Sequence, residues 1–148
     1  MIAVAALIGG CGSYTKADFS ASANAICAST VRKVRSIRPS SFGPGAAAQM
    51  RALGGYLGRV LPIVRAEAYA LRALKRPAQD ARNRAELTRY LRAVGGTVAD
   101  YAALAAAARR GDAHAVATAE AGLRTSQVGA LAASYGLRSC AAPGATVS

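Results

Sequence analysis

Three cysteines (Cys11, Cys27, Cys140), one histidine (His114) and seven carboxylates are this chain's stock for metal, nucleophilic or acid–base chemistry. Their spacing serves none of these well. A di-iron bundle needs a Glu from two helices and Glu-x-x-His from two others, and no Glu-x-x-His occurs here. There is no Gly-x-Ser-x-Gly nucleophile elbow, and no Gly-Lys-Ser or Gly-Lys-Thr follows the glycine pairs to form a phosphate loop. His114, beside Asp112 at a helix start, reads as a surface residue. Glu67 has apolar neighbours and Arg65 close by, and reads as a solvated side chain near Arg59 and Arg72. Arg110-Gly111-Asp112 has the letters of an integrin-binding tripeptide, but reads as a helix stop followed by a helix cap. The expectation is a protein that is not an enzyme, with no metal and no cofactor.

Charge is the more informative feature. Nineteen Lys and Arg against seven Asp and Glu give a formal net charge of +12. Such an excess raises nucleic acid or an anionic membrane surface as a partner. Ala, Gly and Arg are also the products of GC-rich codons, which gives the bias a second origin. Arg72, Lys75, Arg76, Arg82 and Arg84 gather around one turn, opposed there only by Asp80 and Glu86. They form the candidate contact for anionic lipid headgroups, with an ordinary solvated turn as the plainer alternative.

The elements that must position these groups are helical. Hydrophobic residues make up 53% of the chain, Ala dominates them, and aromatics are only 5%. Ala favours helix most, whereas strands need the β-branched and aromatic residues that are sparse here. The spacing predicts an all-α, up-down-up-down four-helix bundle. Helix one starts at a capping box, Thr15 with Asp18, and runs to about Ile37 with Phe19, Ala23, Ile26, Cys27, Thr30, Val31 and Val34 inward. Helix two is expected over 46–75, kinked near Gly58 by Pro62. Helix three is expected over 78–109, with Pro77 introducing it. Counted from the intervening turn, the Gly54, Gly55 and Gly58 group falls level with Gly95-Gly96, as a close backbone approach or as a shared flexible waist. Helix four is expected over 113–135, with Val116, Ala119, Leu123, Ala130 and Leu131 inward and Gly136 as a left-handed cap.

Leu7-Ile8-Gly9-Gly10-Cys11 follows an apolar run from Met1. An apolar stretch ending in small residues and Cys resembles the lipobox of bacterial lipoproteins. The resemblance implies that Cys11 carries lipid and that the remainder is extracytoplasmic. Met1–Gly10 lacks the basic residues of a signal peptide, so the expectation is a basic start upstream of Met1. The resulting organisation is 1–10 as a signal segment, 11–14 as a tether, 15–140 as the bundle and 141–148 as a loose tail. The remainder is similar to small Ala/Arg-rich helical proteins of high-GC Gram-positive bacteria, in which an early helix and a terminal segment each hold one Cys. That resemblance implies a Cys27–Cys140 disulfide. It agrees with the lipobox, since lipid on Cys11 and a Cys27–Cys140 bond leave no odd thiol in an exported protein.

The expected function is a lipid-anchored binding or scaffold module at the cell envelope. Its partners would be the membrane and an anionic lipid or an envelope protein. The alternative is a cytosolic basic helical protein gripping nucleic acid through backbone phosphates. Against that alternative, the arginines are scattered and no helix-turn-helix spacing stands out.

Overall fold

The computed structural model describes residues 13–39 and 43–142. Over these residues the chain is an all-α bundle closed by one disulfide. The helices are α1 (Lys16–Ser36), α2 (Ala46–Ala73), α3 (Ala81–Arg110), α4 (Ala113–Arg124), α5 (Val128–Tyr135) and α6 (Arg138–Ala141). No helix among the described residues is long and apolar enough to cross a membrane.

The start of α1 is the capping box expected from Thr15 and Asp18. The Asp18 amide donates to the Thr15 hydroxyl at 3.2 Å, and the Thr15 amide donates to the Asp18 carboxylate at 2.8 Å. The pair satisfies two amides that a helix start would otherwise leave unpaired. Phe19, Ala23, Cys27, Thr30 and Val34 then recur at helical spacing and are buried. Gly111 ends α3 in the left-handed region, φ +69°, and Asp112 caps α4 by accepting from the Ala115 amide. Arg110-Gly111-Asp112 is thus a helix stop and a helix start.

The fourth limb departs from expectation, because it is broken in two at 125–127. Thr125 turns its hydroxyl back onto the carbonyls of Ala121 and Gly122, and Ser126 pairs with Thr97 of α3 at 2.9 Å. Side-chain bonds of this kind compete with the helical ladder. The break lets α4 and α5 bury different faces. Val116 is buried on α4; on α5 the buried residues are Val128, Ala132 and Tyr135, while the expected Ala130 is exposed and Leu131 half-buried. At Gly136 (φ +95°) the Leu137 amide returns to the Ala132 carbonyl at 2.8 Å. This sends the chain into α6, which carries Cys140.

The core falls into two halves stacked along the bundle. One gathers Phe19, Cys27, Leu71, Tyr90, Tyr135 and Leu137 with their neighbours; the other gathers Val34, Val60, Leu104 and Val116 with theirs. The most extensive interface joins α2 and α3. The first helix packs on α2 and on α6 rather than on α4.

The turn between α2 and α3 is longer than expected. Helix α2 stops at Ala73, and α3 starts at Ala81 with Asp80 as its cap, so Pro77 lies in the loop instead of leading the helix. The glycines therefore do not meet. Gly54 lies against Ala108 and Arg109, where an added Cβ would come within 3.3 Å of Arg109 Cγ. Gly95 instead leaves room for the guanidinium of Arg72, and Gly55, Gly58 and Gly96 face open space. Helix α2 is continuous through Pro62. Both Gly58 and Pro62 are exposed, so water can satisfy the Gly58 carbonyl that the proline leaves without a donor.

These placements predict opposite outcomes for one substitution type. Gly96→Ala should stabilise the protein by roughly 0.5–1 kcal/mol, since Ala favours helix and the space is open. Gly54→Ala should lose that gain or destabilise, because the new methyl comes within 3.3 Å of Arg109 Cγ at the root of a side chain on α3. Urea unfolding of the two variants checks the pair: equal stabilisation by both would refute the close approach at Gly54.

Candidate functional site

Three of the five basic residues expected around the α2–α3 turn, Arg72, Arg76 and Arg84, line one groove. Arg72 and Arg76 come from the end of α2 and the loop; Arg84 and Arg92 come from α3. Together with the apolar floor of Pro77, Leu87 and Leu91 they line a groove of about 510 Å³. Arg84, Thr88 and Arg92 follow one another at four-residue spacing, so they share a face of α3. Arg84 and Arg92 stand roughly 12 Å apart along the helix axis. Two of the expected contact residues lie elsewhere. Lys75 sits 5.7 Å from the centre of the Tyr14 ring, and Arg82 pairs with Glu86 at 3.3 Å. Arg92 lies outside the expected cluster; its signal in the sequence is the four-residue step from Arg84 through Thr88.

The groove is uncompensated. Among the described residues none of Arg72, Arg76, Arg84 or Arg92 is ion-paired. The two nearby acids are already engaged. Glu86 holds Arg82, and Asp80 accepts from the Asn83 amide at 2.8 Å and from its side-chain amide at 2.9 Å. Those bonds hold the Asp80 carboxyl below the usual carboxylate range. The Arg84 guanidinium reaches the Gln79 carbonyl at 3.2 Å, which draws the loop towards the groove.

The same end of the bundle receives the start of α1. The Ala78 amide donates to the Tyr14 carbonyl at 3.2 Å, and Lys16 Nζ donates to Asn83 Oδ1 at 2.7 Å. Tyr135 ties in the fourth limb: its hydroxyl donates to Gln79 at 2.7 Å, its ring meets Phe19 edge-on, and Lys16 lies 4.4 Å from the ring centre. Cys11, the expected lipid-bearing residue, lies outside the described residues, as do residues 1–10 and 143–148.

No family model, curated protein or solved structure matches this chain.

Cys27 and Cys140 are bonded, with their Cα atoms 5.1 Å apart. Beside the bond lies a cavity of about 40 Å³ between α2 and α3, lined by Glu67, Tyr90, Thr97, Tyr101 and Cys140 among others. That is space enough for ordered water. Glu67 thus turns inward, not towards Arg59 or Arg72 on the solvated face. Burial pushes its carboxyl up to about 7. Burial, and then the charge of Glu67, also raise the Tyr90 hydroxyl. His114 is exposed.

Proposed function

We propose that this chain is a helical binding module held at the outer face of a membrane by lipid on Cys11, with its basic end against anionic headgroups. The observation that carries the reading is the bond from the Ala78 amide to the Tyr14 carbonyl, which sets Tyr14 against the basic loop. Three residue steps separate Cys11 from Tyr14, a reach of at most about 11 Å. A lipid there and the basic loop would then face the same surface. Stable anchoring takes two such signals, one acyl-type anchor and one patch of positive charge. The Cys27–Cys140 bond fits the same address, since disulfides persist in oxidising compartments.

The test uses the full chain with Cys11→Ser, so that no lipid is attached. Partitioning onto phosphatidylcholine vesicles should rise with the phosphatidylglycerol content. Changing Arg72, Lys75, Arg76, Arg82 and Arg84 together to Gln should lower it at least tenfold, given about 1 kcal/mol for each basic residue near such a surface. Partitioning indifferent to anionic lipid, or to these five residues, overturns the membrane reading. Tighter binding to duplex DNA than to vesicles, falling steeply with salt, would favour the nucleic-acid alternative. Mass spectrometry of the protein from its native membrane tests the address: a diacylglyceryl Cys11 supports it, and a free Met1 with three thiols refutes it.

A further inference from the structure

We infer that the groove of Arg72, Arg76, Arg84 and Arg92 is a one-to-one site for a phosphate monoester, which goes beyond a diffuse attraction to negative surfaces. The inference deepens the membrane reading and rests on the same basic end, but makes a separate claim: one groove, one phosphate.

Four like charges line a single groove with no carboxylate among its lining residues, and the Arg76 and Arg84 guanidiniums meet only the neutral carbonyls of Arg72 and Gln79 there. The acids that could neutralise them are committed to Arg82 and to the cap of α3. Guanidinium groups are planar forks whose donors match phosphate oxygens two at a time. A doubly charged monoester offers three terminal oxygens, enough to engage guanidiniums from both walls. The floor adds a second requirement. Leu87 is 2% exposed and Leu91 7%, so the core closes the bottom of the groove and its open apolar surface comes from the arginine stems. An alkyl chain attached to the phosphate would find contact along those stems that inorganic phosphate lacks. The ligand class is therefore a phosphomonoester, supplied either by a lipid headgroup or by a soluble phosphate.

Calorimetric titration of the full-length Cys11→Ser chain at constant ionic strength tests this. The probes are inorganic phosphate and dihexanoyl phosphatidic acid below its micelle concentration. Both should saturate at one per chain. Arg92→Gln should weaken phosphate binding at least fivefold, and Arg84→Gln similarly. Arg124→Gln removes the same charge from α4, which does not line the groove, and should change it less than twofold. Phosphatidic acid binding at least tenfold tighter than phosphate identifies a lipid as the source; equal affinities identify a soluble phosphate. A titration that never saturates, or equal losses from Arg92→Gln and Arg124→Gln, overturns the site. Saturable phosphate binding without vesicle recruitment sinks the membrane reading alone. Vesicle recruitment that survives Arg92→Gln, with a flat phosphate titration, sinks the groove alone.

Discussion

Replacing Cys27 and Cys140 together with Ala should destabilise the protein by about 4–5 kcal/mol. The bond spans a sequence separation of 113 residues. In the chain-entropy model, opening so long a loop restores that much freedom to the unfolded chain. Ala avoids burying a new hydroxyl at two positions that are 1% and 5% exposed. For a chain of this size the midpoint of thermal unfolding should fall by about 15 °C. The damage should begin locally. Helix α1 packs on α2 and α6, and α6 is four residues long. Without the sulfur bond, α6 would hold α1 mainly through the Ser139 amide, which donates to Asn24 at 2.8 Å. Amide exchange in α1 should therefore accelerate before exchange in α2 and α3. A double variant within about 1 kcal/mol of the oxidised protein, with α1 still protected, would show that packing alone holds the bundle.

Glu67→Gln should leave stability unchanged near pH 4 and raise it by about 2–3 kcal/mol at pH 8. The sign follows from proton uptake. Burial raises the carboxyl from 4.5 to about 7 in the folded protein. Between those values the folded state keeps a proton that the unfolded state releases. Stability therefore declines as pH rises through that window, and is flat above it. The magnitude is the shift expressed as free energy, reduced for the side chain's partial access to water. Gln keeps the shape and removes the charge. Denaturant titrations at pH 4, 6 and 8 measure the effect. A gain of the same size at all three values would mean that Glu67 costs stability through its packing and not through its charge.

Much of this architecture is legible in the residues themselves. Phe19, Ala23, Cys27, Thr30 and Val34 specify which face of α1 is buried, because a helix returns to the same side every three or four residues. Thr15 with Asp18, Gly111 with Asp112, and Gly136 mark helix ends through chemistry confined to a few neighbouring atoms. The break at 125–127 is harder to see. Polar residues there look like the wet face of a continuous helix until Thr97, on another helix, is known to stand opposite Ser126. The spacing does carry a trace of it: Leu123 to Val128 is a step of five, which one helix cannot keep on one face. The glycine register is hidden because nothing at Ala78 marks loop rather than helix, and α3 starts only at Ala81. The direction of Glu67 is hidden for a related reason, since its alanine neighbours leave both directions open and only the pairing of α2 with α3 decides. The groove was half legible. Arg72, Arg76 and Arg84 are close in sequence, whereas Arg92 joins them only once α3 lies along α2.

The sulfur bond between α1 and α6 also fixes how the molecule would carry mechanical load. A pull between an anchor upstream of α1 and a grip just beyond Cys140 would enter at Lys16, cross to Cys140 through the bond at Cys27, and leave. Helices α2 to α5 lie off that line and would bear almost no tension. A partner that seized the far corner around Gly111 would instead load the α2–α3 interface, where non-covalent packing resists. The direction from which the domain is held would decide whether it behaves as a covalent strap or as a yielding bundle.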